Sequence, residues 1–313
     1  MARRSKGARG ARVAIILALA IFIALQPLAA VIIYEASFGR RYTTAEEEAL
    51  SLSDFDGLCR ERHSFPTRGG GNLVGYLYRG EGDFEARGLV VFAHGMGRGG
   101  QTGYIDVFDI MVERGYAVFA YDATANDESE GKSVGGLPQG IIDLDYALRY
   151  VKGLDVLSGL PLFLMGYSWG GFSVANVLSY HPDVDGAVSL AGWNESMDLV
   201  RHRGRQYAGA LAMLAMPFAE LYEGIKYGEY ANSSALSGFA AAECPIMIVH
   251  GELDETVPPE YGYLRYQSEL GSDSRFTYRI YPERDHAVFR NADGSLDREL
   301  FFEIADFYDG IVG

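Results

Sequence analysis

Twenty-two consecutive residues, Val13 to Tyr34, carry no charge. As a helix they would extend about 33 Å, enough to cross the hydrocarbon core of a bilayer. Beyond position 54 the pattern changes to short apolar runs separated by amphipathic stretches. Residues 58–66 and 72–78 read as two strands around the turn Arg68-Gly69-Gly70-Gly71. Apolar strands then follow at 88–93, 116–121, 160–165, 186–191, 245–250 and 276–281, with helical segments at 105–114, 139–152, after 168 and at 300–308. Continuously apolar strands between helices predict an α/β fold whose mostly parallel sheet is covered on both faces. One stretch breaks the rhythm. Residues 195–242 separate two strands and include the apolar run Ala208 to Tyr222. That is long for a simple crossover and predicts an inserted helical cap, the rival being a crossover helix with a long loop. The chain thus divides into a basic N-terminus (1–12), a membrane-crossing helix (13–34), a connector (35–54) and one α/β domain (55–313).

Charge gives the first helix a direction. Arg3, Arg4, Lys6, Arg9 and Arg12 precede it, while Arg40, Arg41 and Glu35 lie at its far end. The positive-inside rule places the N-terminus in the cytoplasm and the domain outside. A cleaved signal peptide is the alternative and would release the domain. The cleavage region Gln26-Pro27-Leu28-Ala29-Ala30 is poor, and Val31-Ile32-Ile33 continues the apolar run, so an uncleaved anchor is preferred. The remainder after residue 41 holds 20 basic against 41 acidic residues, a net charge of −21. Such a body repels phosphate backbones, which argues against a nucleic-acid partner. Cys59 and Cys244 cannot form a disulfide framework or a four-ligand zinc site and are expected unbridged.

The candidate chemistry centres on Gly166-Tyr167-Ser168-Trp169-Gly170, which follows an apolar strand and precedes a helical pattern. A serine on such a turn is pushed out of the backbone with its hydroxyl exposed, and small neighbours are needed to permit it. Alone the pattern is weak, and a turn serine beside structural glycines is the bland reading. A serine nucleophile needs a base, an acid to orient the base, and donors for an oxyanion. Of six histidines only His286 lies past the last strand, in the order serine, acid, histidine. The acid should follow a strand between them. Asp254, in His250-Gly251-Glu252-Leu253-Asp254, is preferred over Glu252, Glu255 and Asp285, with a helix-capping role as its bland reading. The oxyanion donors are expected at the backbone N–H of Trp169 and of Met96, with Gly97 as runner-up.

Taken in order, His94-Gly95-Met96-Gly97, Gly166-x-Ser168-x-Gly170, the run His250 to Pro258 and His286 resemble the α/β-hydrolase superfamily, in particular its lysophospholipase, monoglyceride-lipase and serine-aminopeptidase-like branch. The resemblance covers roughly residues 55–310. It implies an eight-stranded sheet, a cap after the sixth strand and no cofactor; the apolar cap suggests an acyl or aromatic substrate, a small ester or acyl compound. One loop departs from the family. Where glycines are usual after the fourth strand, this chain has Ala125 and Asp127. The expected activity is a membrane-anchored serine hydrolase of carboxylic esters. Alternatives are a peptidase or amidase of the same fold, a catalytically silent surface binding protein, and a Rossmann-type NAD(P) oxidoreductase. The last is suggested by the glycines of Gly95-Met96-Gly97-Arg98-Gly99-Gly100 but leaves Ser168, Asp254 and His286 unexplained.

Overall fold

The computed structural model describes residues 3–97 and 99–313; Met1, Ala2 and Arg98, the last within the Gly95–Gly100 run, lie outside the described residues. Helix α1 (Arg3–Phe38) outruns the expected 13–34 at both ends. A hairpin of β1 (Leu58–Pro66) and β2 (Asn72–Gly80) opens the sheet. It is followed by β3 (Gly88–Ala93), α2 (Ile105–Glu113), β4 (Tyr116–Asp122), α3 (Pro138–Lys152), β5 (Leu162–Tyr167), α4 (Trp169–Val177) and β6 (Gly186–Leu190). Then come α5 (Ser196–Tyr227), α6 (Ala235–Ala241), β7 (Ile246–Gly251), α7 (Tyr263–Leu270), β8 (Phe276–Tyr281) and α8 (Arg298–Val312).

The eight strands lie in the order β1-β2-β4-β3-β5-β6-β7-β8. β2 is antiparallel to both β1 and β4, and every later pairing is parallel. β3, β4, β6 and β7 are buried along their whole lengths, as parallel strands between two helical layers must be. Two apolar clusters, one on each face, make the core. One gathers residues of α3, α4 and α6 (Leu144, Phe172, Phe239), the other residues of α2 and α8 (Phe108, Phe301, Tyr308). The parallel strands share one direction, so their C-terminal ends form a single edge where loops converge.

Two segments make contacts that the hydropathy pattern does not specify. The connector is fastened to the domain: Gly135 N–H donates to the Phe38 carbonyl (3.0 Å), Val134 N–H to Arg40 (3.0 Å) and Tyr42 N–H to Ala125 (2.9 Å). The stretch 195–242 also divides. Its last part, α6, lies on α4, where a Cβ at Gly238 would come within 2.1 Å of the Ala175 carbonyl oxygen. It therefore covers the sheet as an ordinary crossover helix. The inserted part is α5, two helical arms joined at Gly209 (φ 56°, ψ −139°). Both cysteines are free, Cys244 buried.

Candidate active site

Ser168 stands between β5 and α4 with φ 55° and ψ −115°, outside the wells open to an L-residue. Such a conformation costs on the order of 1–3 kcal/mol and persists only when its surroundings impose it. Here Ser168 N–H donates to the Leu190 carbonyl (2.7 Å), and its own carbonyl accepts from Phe172 N–H (2.8 Å). The flanking glycines allow the turn to close. A Cβ at Gly166 would lie 2.3 Å from the Gly170 carbonyl oxygen, and one at Gly170 would lie 1.8 Å from that of Ala93. Gly170 thereby lets the start of α4 press onto the loop after β3. Gly170→Ala is expected to destroy this approach and lower the melting temperature; a variant whose thermal melt is unchanged would contradict the close contact.

His286, in the loop after β8, places Nε2 2.8 Å from Ser168 Oγ and Nδ1 2.7 Å from Asp254 Oδ2. Asp254 is buried. Burial alone would raise its pKa, but hydrogen bonds from His250, His286 and the Val257 N–H hold it well below the usual carboxylate range. An ionised carboxylate only accepts hydrogen bonds, so Nδ1 of His286 carries the proton and Nε2 is left to accept from the serine hydroxyl. The other oxygen, Oδ1, receives the N–H groups of Thr256 (2.9 Å) and Val257 (2.8 Å). Asp254 thus caps its own loop as well as meeting the histidine. Of its rivals, Asp285 accepts the Ala287 N–H (3.0 Å) and, among the described residues, no other hydrogen bond.

A second histidine touches this carboxylate. His250, at the end of β7 and fully buried, sets Nε2 2.9 Å from the Val257 carbonyl and 3.3 Å from Asp254 Oδ2. Because a carbonyl cannot donate, Nε2 bears the hydrogen and Nδ1 has no partner among the described residues. The sequence reading set His250 aside as a base and missed this contact; its spacing of four residues before Asp254 was the available signal.

The β3 loop is braced from behind. His94 is buried; its Nδ1 lies 2.8 Å from the Gly95 carbonyl and its Nε2 accepts the Ala123 N–H (2.9 Å). Burial lowers its pKa. A neutral ring thus ties the ends of β3 and β4 and fixes the path of Gly95, Met96 and Gly97. Trp169 opens α4, where an N–H has no acceptor within the helix, and its indole donates to the Leu137 carbonyl (2.8 Å).

The departing loop after β4 keeps a glycine-like shape without glycine. Ala125 (φ 59°) and Asp127 (φ 33°) both take left-handed conformations. Asp127 is held there by Thr44 N–H and Oγ1 (both 2.6 Å) and by Gly100 N–H (2.8 Å). That bond, and the close approach of Gly100 to Asp122, fill the glycine run with protein groups where a dinucleotide reading wants phosphate. Asp122 is buried, accepts N–H bonds from Gln101 (2.9 Å) and Glu128 (3.2 Å), and is pushed up to about 7 chiefly by burial. Between about pH 4 and 7 the folded state keeps a proton that the unfolded chain has released, so this group makes stability fall as pH rises. Asp122→Asn should flatten that slope in thermal melts across the window; an unchanged slope would show the carboxyl to be ionised throughout.

The chain has the α/β-hydrolase fold. A family model described as serine aminopeptidase, S33, matches residues 85–226, taking in Ser168 and the 94–97 loop and ending before Asp254 and His286. Among solved structures, an esterase of Pyrococcus furiosus superposes with a TM-score of 0.67 at 16% identity, over 88% of this chain and 99% of that one. Est1E of Butyrivibrio proteoclasticus, solved with ferulic acid bound, gives 0.59 at 17% identity, over 80% and 99%. The acylaminoacyl peptidase of Pyrococcus horikoshii gives 0.60 at 15% identity, over 82% of this chain and 42% of that one. No curated protein matches the chain in sequence.

Proposed function

We propose that the protein is a serine hydrolase that cleaves carboxylic esters through Ser168, His286 and Asp254, carried outside the cytoplasm on α1 as a single-pass anchor. The observation that carries this reading is the run of two short hydrogen bonds, 2.8 and 2.7 Å, ending on a strained serine. Ser168 Oγ attacks the acyl carbon while His286 Nε2 takes its proton. Asp254 holds the imidazole in the required tautomer and stabilises its charged form. The N–H groups of Met96 and Trp169 receive the tetrahedral oxyanion, a donor pair of which each member is typically worth about 2.7–4 kcal/mol. Collapse expels the alcohol, which leaves with the proton from His286. Water, deprotonated by the same nitrogen, then attacks the acyl-enzyme, and the acid departs with Ser168 restored.

The partial match to serine aminopeptidases favours one second reading, cleavage of aminoacyl amides by the same residues. Hydrolysis of p-nitrophenyl esters of graded acyl length, beside aminoacyl p-nitroanilides, separates the two. Faster turnover of an ester is expected, and faster turnover of an anilide would replace the esterase reading with the amidase one.

A further inference from the structure

The two arms of α5 fold back on each other as a helical hairpin. A Cβ at Gly204 would meet Met216 Cε at 2.6 Å and Ala212 Cβ at 3.4 Å, Arg205 Nε lies 3.3 Å from Met213 Sδ, and Arg201 pairs with Glu220 at 2.6 Å. The returning arm is fastened to α1. Tyr34 donates its hydroxyl to Glu223, which also accepts from Ser196 (2.8 Å); Tyr222 donates to Glu35 (2.7 Å), and Lys226 pairs with Glu35. Four residues after Tyr34, the Phe38 carbonyl binds Gly135 N–H, and the Gly135 carbonyl takes Lys226 Nζ (2.9 Å). Contact therefore advances the same way along both helices, and the returning arm runs parallel to the last turns of α1. From Glu223 back to Leu211 is about 18 Å of helix, which carries the hairpin tip alongside the uncharged stretch of α1.

What this hairpin shows to the outside is apolar. Leu211 (67% exposed), Leu214, Leu221 and Ile225 (75%) form one stripe at helical spacing, and Tyr207 at the tip is 85% exposed. No charge occurs from Gln206 to Ala219. The flank is basic: Arg201, Arg203 and Arg205 occur with no acid between Asp198 and Glu220, in a strongly acidic body. Among the described residues Arg203 and Arg205 have no carboxylate partner; Arg203 reaches Gln206 and the Thr256 carbonyl instead. An exposed apolar face beside unpaired arginines matches acyl chains under anionic headgroups.

We propose that the α5 hairpin is a second membrane contact, its tip and its Leu211–Ile225 stripe lying in the leaflet next to the domain. This rests on the reading of α1 as an anchor. The test uses the full chain reconstituted in vesicles of phosphatidylcholine and phosphatidylglycerol. An environment-sensitive fluorophore is attached at Leu214→Cys or Ile225→Cys, with Ile16→Cys in α1 and the exposed Val156→Cys on the domain as references; labelling of the unsubstituted chain is subtracted. Lipids bearing a nitroxide on the acyl chain are expected to remove most of the emission at positions 214, 225 and 16, and none at 156. Quenching at 16 with none at 214 and 225 would overturn the hairpin contact and leave the anchor standing. Quenching at 214 and 225 without 16 would support the hairpin and remove the anchor, and silence at all three would remove both.

Discussion

Ser168→Ala is expected to lower ester turnover by about a million-fold while leaving the protein folded. The size follows from the dependence of every step on one oxygen. Without Oγ there is no acyl-enzyme, and His286, however well oriented, can only activate water in a site shaped for the serine. Folding should survive because, among the described residues, the hydroxyl's hydrogen bond goes to His286 alone, at a part-buried position. The turn is fixed by backbone bonds to Leu190 and Phe172. The remaining activity should be the residue left by oxyanion donors and binding, roughly a thousand-fold or more over water. Steady-state kinetics beside circular dichroism checks this. A fall of less than about a hundred-fold in folded protein, against the roughly million-fold expected, would remove Ser168 from the chemistry.

Asp254→Asn is expected to cost about ten-thousand-fold in turnover, and Asp285→Asn only a few-fold. Asparagine keeps an oxygen for Thr256 and Val257 N–H, so the loop should hold. Its amide would then face His286 Nδ1, forcing the hydrogen onto Nε2, where it points at Ser168 and the ring cannot accept the proton. Asp285 bonds the Ala287 backbone N–H and, among the described residues, nothing else. The reverse ranking would transfer the acid role to Asp285. Equal small losses would mean that His286 needs no fixed tautomer.

Much of this was legible in the sequence because it depends on local pattern. The apolar strands and the amphipathic helices specify the layered sheet, and chain order with position after a strand points to His286 and to Asp254 among its acidic neighbours as partners for Ser168. What escaped depends on contacts between distant residues. Nothing around Tyr34 or Glu223 announces a bond between positions 189 residues apart. The apolar run Ala208 to Tyr222 reads as one helix, and the turn at Gly209 together with the contacts Gly204–Met216 and Arg201–Glu220 makes it a hairpin. Ala125 and Asp127 looked like a break in the loop pattern. Side-chain bonds from Thr44 and Gly100 to Asp127 hold the left-handed turn that glycine would take freely. His250 escaped because a strand-end histidine followed by glycine offers no sign of what its ring will meet beyond its spacing of four residues before Asp254.

The central claim is that Ser168 is an activated nucleophile, and reaction with a fluorophosphonate measures that directly. Incubation of the folded protein followed by peptide mass spectrometry should find one covalent phosphonyl group, on the peptide containing Ser168, and none on Ser168→Ala. Folded protein that takes up no label, or takes it at another residue, would contradict the claim.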